Sequence, residues 1–558
     1  MQPLSRIALS LIVLALSATS VFQASTTVEP ISKLYIGQSA RLTAQIPGDW
    51  IVEASSRYDN QGEGGFVVSS PIAGPTLEEA CAAVAGTAPF SGNAPTVVAT
   101  TWSGQPACRI DGGTADGPAS ALVVPHPYPF ESSGEQITYA ALMTDADHFM
   151  AISTTLTFSP DRVTPEAYVT SVLDLLEARA YFAEGVDWNL ARRLALMRLD
   201  GLTDLTMAQA AINDLIADLV ASLRGAGDNH SYVLSPSQGA SQGEVTGFGF
   251  LVGNRRVLQV YPDGPADRAG VRAGDLIEAV DDRPFLPTLN AIDPAALIGA
   301  NAQLTLRRRG VAELITVTVE QGPYSQYAVP TGRRLSGDLG YIEVPHFTTP
   351  GREADYVEAA RSVIGTVDQS PTCGWVIDLR LNTGGRYPPM VGGVGPILDD
   401  GIFVGWQQRD GTQTWVTYAD GRITDDDQPI ADYADLSGDI LQRPAPPVAV
   451  LTSPMTASSG EVATLAFVGR PETRLFGETT GGYATAIAGF PLFDGTVIGL
   501  AVSAMTDRSG TTHLAGIEPD EHVAIEWEMF GTDEDPVLQA AMAWLDQQPG
   551  CIEGTPAP

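Results

Sequence analysis

Hydrophobic and polar residues follow two different patterns in the first half of this chain. Up to about residue 160, short β-prone runs such as "FVVSS", "TVVATTW", "ALVVP" and "AISTTLTF" are separated by Gly, Ser and Thr, which predicts a mostly β domain with one helix at "TLEEACAAVAG". After about residue 160, apolar residues recur at helical spacing. One apolar face is formed by Ile212, Leu215, Ile216, Leu219, Val220 and Leu223. We expect this helix to end at Gly225 and Gly227, just before "DNHSYVLSP".

The second half of the chain begins with a glycine loop and continues as alternating strands and helices. "TGFGFLV" predicts a loop opening a strand, followed by an Ala-Gly-rich helical turn and the strand "GDLIEAV". Further on, "LGYIEVP", "GWVIDLR", "VAVLT" and "TRLFGE" alternate with helical runs, which predicts parallel strands in an α/β layer. "DPVLQAAMAWLDQ" predicts a last helix, capped by Asp535 with Pro536 in its first turn.

These patterns predict a multidomain α+β protein. We expect a mostly β domain over residues 26–162, a helical segment over 163–240, a small β domain over 241–325 and an α/β domain over 330–548. Residues 1–25 contain the short apolar run Ile7–Leu16 after Arg6, which is typical of a secretory signal peptide. The sequence therefore predicts a periplasmic or secreted protein without stable membrane insertion.

The net charge limits the possible partners of this protein, and the cysteine count predicts disulfides. The formal net charge is −35 with a pI near 4.3, which argues against nucleic acid or an anionic membrane surface as a partner. The four cysteines match no zinc-binding spacing, and an even number in an exported protein indicates disulfides. We expect the pairs Cys81–Cys108 and Cys373–Cys551.

Three local signals carry potential chemistry. Ser458, in "PMTASSGEVA", lies where a strand passes into a helix, a position that exposes a nucleophile. Gly384 and Gly385, in "DLRLNTGG", can turn backbone N–H groups toward an oxyanion. His230, in "GDNHS", can serve as a base. Each has an ordinary alternative, and Ser458 with Glu461 also matches a helix capping box.

Taken together, the motifs resemble peptidase family S41, the C-terminal processing (tail-specific) serine proteases. The matching segments are, in chain order, "GDNHSYVLSP", "LGYIEVPHF", "DLRLNTGG", "TASSGEVATLAF", "GETTGG" and "GIEPD". Between the first two lies a stretch that resembles a PDZ domain, with Gly247, Phe248, Gly249 and Phe250 as its carboxylate-binding loop. The resemblance implies a ClpP/crotonase-like α/β core, and it covers about residues 164 to 547.

The resemblance also assigns roles to single residues. Ser458 matches the nucleophile, and the N–H groups of Ser459, Gly384 and Gly385 match the oxyanion hole. The processing-protease branch has its lysine base at the position of Tyr483, and Lys33 is the only lysine of this chain. A Ser–Lys dyad is therefore excluded.

The resemblance is closer to the tricorn-like branch, whose histidine base matches His230. That branch orients its base with a glutamate, and His513 occupies the corresponding position. Asp507, Glu518 or Asp228 could replace the missing carboxylate, and a third possibility makes His513 itself the base.

These assignments predict an exported serine endopeptidase that acts on a protein or peptide substrate held by the PDZ domain. The reaction implied by the family needs no metal and no organic cofactor. The alternative is a catalytically inactive binding protein with the same fold, for a peptide or a small hydrophobic ligand.

Overall fold

The computed structural model describes residues 31–48, 50–54, 57–59, 65–87, 90, 95–114, 117–132, 135–158, 163–203, 205–235, 244–285, 288–292, 301–434 and 441–552. The signal-peptide prediction for residues 1–25 lies outside these ranges. Two compact units are present, one formed by residues 1–240 with 488–500 and the other by residues 241–487 with 501–558. Among the described residues, no helix is long and apolar enough to cross a membrane.

The first unit is built on antiparallel β-sheet, as its short β-prone runs predict. A two-stranded sheet pairs β1 (Ile31–Gly37) with β2 (Leu42–Pro47). A seven-stranded antiparallel sheet has the order β3-β4-β5-β9-β8-β7-β6. Its strands are β3 (Ile51–Ala54), β4 (Arg57–Asp59), β5 (Phe66–Ala73), β6 (Thr96–Trp102), β7 (Gln105–Thr114), β8 (Gly117–Ser132) and β9 (Glu135–Asp145). The predicted helix α1 (Leu77–Ala85) packs its buried face on this sheet.

The helices that follow in the first unit correct one prediction, because the run "AISTTLTF", expected to be β-strand, begins inside the first of them. They are α2 (Phe149–Ser153), α3 (Pro165–Arg179), α4 (Trp188–Arg198) and α5 (Leu205–Ser222). All six apolar positions predicted for the face that ends at Leu223 are buried. A 3-10 turn, Leu223–Ala226, continues α5, and Gly227 ends it with φ +108°. The glycine signal therefore predicted the end of the helix, because only glycine adopts this conformation without strain.

A hairpin tip from the second half of the chain, Ala488–Leu500, belongs to the first unit. Asp494 in this tip accepts hydrogen bonds from the Tyr168 hydroxyl at 2.8 Å and from the Gln209 side-chain amide. The strand β10 (Tyr232–Leu234), which begins two residues after His230, pairs antiparallel with Val497–Gly499 of the same hairpin. The hairpin thus holds the strand that follows the predicted base.

Both predicted disulfides are confirmed. Cys81–Cys108 joins α1 to β7 in the first unit, and Cys373–Cys551 ties the C-terminal segment to the start of a central strand in the second. The second bridge spans 178 residues of sequence, so it removes considerable freedom from the unfolded chain.

The first part of the second unit is the segment that resembles a PDZ domain. Its six-strand path has the order β16-β12-β13-β14-β17-β18, with β15 paired to β14, and β11 pairs separately with β19. The strands are β11 (Glu244–Gly247), β12 (Phe250–Asn254), β13 (Arg256–Val260), β14 (Leu276–Val280), β15 (Arg283–Pro284), β16 (Thr288–Ile292), β17 (Asn301–Arg307), β18 (Ile315–Glu320) and β19 (Gly322–Ser325). The short helix α6 (Pro265–Arg268) is the expected Ala-Gly-rich turn.

The remainder of the second unit is a three-layer α/β structure around a mostly parallel sheet. The sheet order is β20-β21-β22-β27-β28-β31, and only the pair β20–β21 is antiparallel. The strands are β20 (Thr331–Arg334), β21 (Leu339–Glu343), β22 (Gly374–Asp378), β27 (Val448–Thr452), β28 (Thr473–Gly477) and β31 (Glu521–His522). The predicted parallel α/β layering is confirmed.

Side chains of the central strands alternate between two apolar cores. One core contains Trp375 and Ile377 of β22 with the helices α7 (Glu353–Val367), α8 (Tyr387–Val394) and α9 (Ser459–Leu465). The other contains Val376 of β22 with the last helix, α10 (Pro536–Leu545). Asp535 caps α10 as predicted. Burial on both faces explains why these strands read as unbroken apolar runs.

The same unit also contains an antiparallel sheet. It contains β23 (Gly401–Gln407), β24 (Gln413–Ala419), β25 (Arg422–Asp425) and β26 (Gln428–Asp432), each paired with the next. Ala504–Thr506 pairs with β23. These residues end β30 (Val497–Thr506), which follows β29 (Thr485–Pro491) in the hairpin.

A buried ion network fixes the end of β22. The Arg380 side chain is fully buried and bridges Asp378 at 2.6 Å and Asp535 at 2.8 Å. Burial alone would lower the pKa of this guanidinium, but the two carboxylates outweigh burial and raise its pKa. The segment that leads from β22 to Gly384 is thereby anchored to the start of α10.

The PDZ-like part and the α/β part share a small apolar cluster. Leu258 of β13 packs with Leu381, Trp527 and Phe530, and Met455 lies against the same cluster. Leu381 and Met455 each precede one of the candidate site segments by three residues, so this cluster supports both.

Candidate active site

Ser458 lies in a strained turn between β27 and α9. Its φ is +53° and its ψ is −119°, a conformation that costs a residue with a side chain of order 1–3 kcal/mol. The turn is held by hydrogen bonds from Ala457 N–H to the Asn382 carbonyl at 3.0 Å and from Gly481 N–H to the Thr456 carbonyl at 2.8 Å. Such strain is found where the surrounding structure dictates the orientation of a side chain, as in functional sites. Ser458 itself is half-buried.

The capping-box interpretation is supported on its glutamate side. Ser458 N–H donates to Glu461 Oε2 at 2.9 Å, and the Glu461 side chain is fully buried. Burial raises the pKa of Glu461, although hydrogen bonds from Thr480 and from the N–H groups of Ser458 and Gly482 oppose the shift. The serine therefore both begins the helix and occupies the expected nucleophile position.

The glycine turn lies directly against Ser458. Gly384 and Gly385 have φ of +107° and +106°, and Ser459 Oγ donates to the Gly385 carbonyl at 2.5 Å. Gly384 N–H, however, donates to Asn382 Oδ1 at 3.0 Å, so in this conformation it is not offered to a ligand. This differs from the sequence-based expectation for Gly384. The cause is Asn382, whose amide also donates to the Val344 carbonyl at 3.0 Å and is thereby fixed in orientation.

Two backbone donors of the predicted oxyanion hole carry no hydrogen bond in the described part of the chain. They are the N–H groups of Gly385 and Ser459. Gly384 instead contributes its lack of a side chain. A Cβ at this position would lie 2.8 Å from the Ala457 carbonyl oxygen and 2.9 Å from Ser458 Cβ. The geometry therefore allows a two-donor site beside Ser458.

We expect Gly384→Ala to reduce the reaction of Ser458 with a serine-directed fluorophosphonate by up to about a hundredfold, because the new methyl group displaces the serine turn. The matched control is Gly411→Ala. Gly411 also has a positive φ, of +85°, but its Cβ would meet open space. Both variants carry backbone strain, and only the first disturbs Ser458. Equal labelling rates for the two variants, measured on folded protein, would contradict this prediction.

His230 belongs to the first compact unit and Ser458 to the second, so their pairing remains a prediction. The loop of His230 is anchored by Asp228, which is buried. Its carboxylate accepts from His230 N–H at 3.0 Å, from Ser231 N–H at 2.9 Å and from the Ser231 hydroxyl at 2.5 Å. Asp228 thus holds the backbone of the loop, with β10 immediately after it.

Among the candidates for the missing carboxylate, Asp507 pairs with His513. His513 Nε2 lies 2.9 Å from Asp507 Oδ2, and Asp507 also accepts from Ser509 and Thr511 N–H groups. Burial would raise the pKa of Asp507, but hydrogen bonds from Ser509 and His513 prevail and lower it. Glu518 accepts from the Thr479 hydroxyl at 2.7 Å. His513 and its carboxylate therefore form a separate pair in the second unit.

The candidate peptide-binding loop offers only backbone groups. The side chains of Phe248 and Phe250 are fully buried in the core of the PDZ-like part. The carbonyls of Phe248 and Gly249 accept from Ala266 and Tyr261 N–H groups, both at 2.9 Å. Gly249 turns the loop with φ +76°, and Gly247 ends β11 just before it.

The edge of β12 beyond this loop is partly taken by the chain itself. Val252 pairs with Ile292 and Asn254 with Thr288 of β16. Among the described residues, Phe250 pairs with Val260 of β13 and has no strand partner on the β16 side.

Sequence reasoning missed two residues that shape the site. Asn382 controls the N–H of Gly384, and Arg380 anchors the segment before it. A signal was present for both, since each is a polar residue within four positions of the end of the buried strand β22. In the part of the chain that the structure describes, no group of three or more His, Cys, Asp or Glu side chains is arranged to hold a metal ion.

Comparison with known proteins finds two family matches in this chain. The model of peptidase family S41 matches residues 338–523, and a PDZ domain model matches residues 256–308. Carboxyl-terminal-processing peptidase 2, chloroplastic, of Arabidopsis thaliana is 26% identical over 315 residues, covering 53% of this chain and 56% of the relative. The Nisin-resistance protein of Lactococcus lactis subsp. lactis is 27% identical over 200 residues, covering 35% and 61%. The carboxy-terminal-processing protease of Bartonella bacilliformis is 26% identical over 333 residues, covering 57% and 69%. The chain thus spans less than two thirds of the length of the first two.

Solved structures are similar at lower identity. The photosystem II D1 C-terminal processing protease has a TM-score of 0.42 and 21% identity, covering 68% of this chain and 97% of that one. A lipoprotein from Streptococcus agalactiae has a TM-score of 0.43 and 19% identity, covering 69% and 96%. On the two family matches, this chain carries a peptidase family S41 domain over residues 338–523 and a PDZ domain over residues 256–308.

Proposed function

We propose that this chain is an exported serine endopeptidase of the tail-specific type, with Ser458 as nucleophile and His230 as general base. The observation that carries the proposal is the strained Ser458 turn packed against Gly384, with the N–H groups of Gly385 and Ser459 beside it. The names of the processing-peptidase relatives support the same reaction class.

The reaction follows from these groups. Ser458 Oγ attacks the scissile carbonyl carbon while the His230 imidazole accepts the hydroxyl proton. The carbonyl oxygen becomes an oxyanion, which the N–H groups of Gly385 and Ser459 stabilise. His230 then gives the proton to the leaving amine, and an acyl-enzyme remains on Ser458. Water, deprotonated by His230, hydrolyses the ester and restores both side chains.

The PDZ domain would capture the C-terminus of the substrate. Backbone N–H groups of the loop Gly247–Phe250 suit a carboxylate, and the β12 edge at Phe250, which no described strand covers on the β16 side, suits an extended segment. Because Phe248 and Phe250 are buried, the loop recognises the chain end rather than a particular side chain.

We expect a peptide substrate with a free C-terminal carboxylate to be cleaved with a kcat/KM at least about tenfold higher than its C-terminal amide, because charged hydrogen bonds to the loop are lost in the amide. Cleavage is followed by mass spectrometry, and an N-acetylated form of the same peptide serves as control. Equal cleavage of acid and amide would exclude carboxylate capture. Binding of the free acid without any cleavage would instead favour the inactive binding protein.

We also infer export to the periplasm or the cell exterior. The apolar run Ile7–Leu16 supports this, as do the two disulfides, since such bonds persist in oxidising compartments.

A further inference from the structure

Glu461 joins three segments of the second unit through one buried carboxylate. Its Oε2 accepts from Ser458 N–H at 2.9 Å, and its Oε1 accepts from the Thr480 hydroxyl at 2.6 Å and from Gly482 N–H at 2.9 Å. The Thr480 oxygen in turn accepts from Ile517 N–H at 2.7 Å. The nucleophile turn, the loop after β28 and the segment around Ile517 therefore meet at this side chain.

These donors require a carboxylate as the acceptor. Oε2 faces the N–H of Ser458 and Oε1 faces the N–H of Gly482. The backbone of Tyr483 also hydrogen-bonds to Glu461 and helps to lower its pKa. Backbone N–H groups cannot rotate away as a side chain can. A side-chain amide in place of the carboxylate would have to direct its NH₂ group at one of them. Only a group with two accepting oxygens satisfies both, and burial makes an unsatisfied donor costly.

The consequence for Ser458 is geometric. Its positive φ is unfavourable for a serine, and its N–H is the atom that Glu461 holds. Rotation of this residue would move both its own Oγ and the following N–H of Ser459. Glu461 therefore fixes the positions of Ser458 Oγ and Ser459 N–H together, although it contacts neither the substrate nor the reacting atoms.

We propose that Glu461 is a positioning residue of the peptidase reaction, which holds Ser458 in its strained conformation and fixes the loop Thr480–Gly482 beside it. The inference rests on the proposed role of Ser458 as nucleophile. It assigns to Glu461 more than the helix cap that the sequence pattern indicates.

The test is Glu461→Gln, which keeps the size of the side chain and removes one acceptor. We expect kcat and the rate of fluorophosphonate labelling to fall between about tenfold and a hundredfold, with little change in KM. The matched control is Glu358→Gln on the exposed face of α7, which should behave as the wild type. Circular dichroism and thermal unfolding show which fraction is folded, and rates are compared per folded molecule.

Hydrogen exchange separates this inference from the proposed function. In Glu461→Gln, amide exchange in residues 456–465 and 479–484 should accelerate relative to Glu358→Gln, whether or not the wild type cleaves peptides. Wild-type labelling rates in a folded Glu461→Gln protein would overturn the inference and leave the proposed function intact. A wild type that is never labelled at Ser458 would overturn the proposed function, while faster exchange would still show that Glu461 holds the turn.

Should Glu461→Gln fail to fold, Thr480→Val provides a second variant. It removes the hydroxyl that donates to the carboxylate and accepts from Ile517 N–H, and it keeps the backbone N–H donors of Ser458 and Gly482. We expect a smaller fall in kcat, again with KM little changed. An unchanged kcat in this variant, with normal folding, would also count against the inference.

Discussion

Ser458→Ala is expected to reduce peptide hydrolysis by at least about a thousandfold and to abolish fluorophosphonate labelling, because no other atom replaces the attacking Oγ. Substrate binding should persist, since the PDZ loop Gly247–Phe250 is unchanged. The measurement is hydrolysis of an unstructured polypeptide, with labelled protein identified by peptide mapping.

The neighbouring serine supplies the matched control. Ser459→Ala keeps the backbone N–H that we assign to the oxyanion hole and loses only the hydrogen bond from Oγ to the Gly385 carbonyl. We expect a loss of less than about tenfold from the removal of one such bond. If Ser459→Ala were inactive and Ser458→Ala active, the roles of the two serines would have to be exchanged.

His230→Ala is expected to lower kcat/KM by about a hundredfold to ten-thousandfold, the usual contribution of a general base. The reason is that Ser458 Oγ must lose its proton as it attacks, and the only lysine of the chain, Lys33, donates to the Trp50 carbonyl at 2.8 Å. Activity should be measured over mildly acid to alkaline pH, so that a shifted optimum is not mistaken for a loss.

Two other histidines serve in this experiment, one as a control and one as the alternative base. His522 is exposed and should tolerate alanine without effect. His513, paired with Asp507, is the competing base. Retained activity in His230→Ala together with loss in His513→Ala would overturn our assignment and make the Asp507–His513 pair the base. Loss in both variants would instead assign a supporting role to His513.

Much of the architecture could be predicted because it is encoded in local patterns. The apolar face from Ile212 to Leu223, the Asp535 cap and the strand Val448–Thr452 each follow from residue spacing within a single helix or strand. Disulfide formation followed from an even cysteine count in a chain expected to be exported, and the pairing was expected from one pair in the first domain and one at the C-terminal segment. The position of Ser458 between a strand and a helix was likewise predicted from the local residue pattern.

The detailed geometry of the site could not be predicted in this way. No pattern around Gly384 reveals that Asn382 takes its N–H, and none around Arg380 reveals a bridge to Asp535, 155 residues further on. Likewise, the sequence indicates that Glu461 caps a helix, and only the folded chain brings Thr480 and Gly482 to the same carboxylate.

There is a physical reason why the sequence predicts the elements but not the detailed geometry of the site. Helices and strands arise from hydrophobic periodicity, which each segment carries within itself. The hydrogen-bond partners of a buried polar group depend on which distant segments pack around it, because a buried donor or acceptor needs a partner. The amino-acid pattern therefore determined the elements and the candidate nucleophile, Ser458. Its strained conformation, the loss of Gly384 as a donor and the anchoring by Glu461 were decided only when those elements packed together.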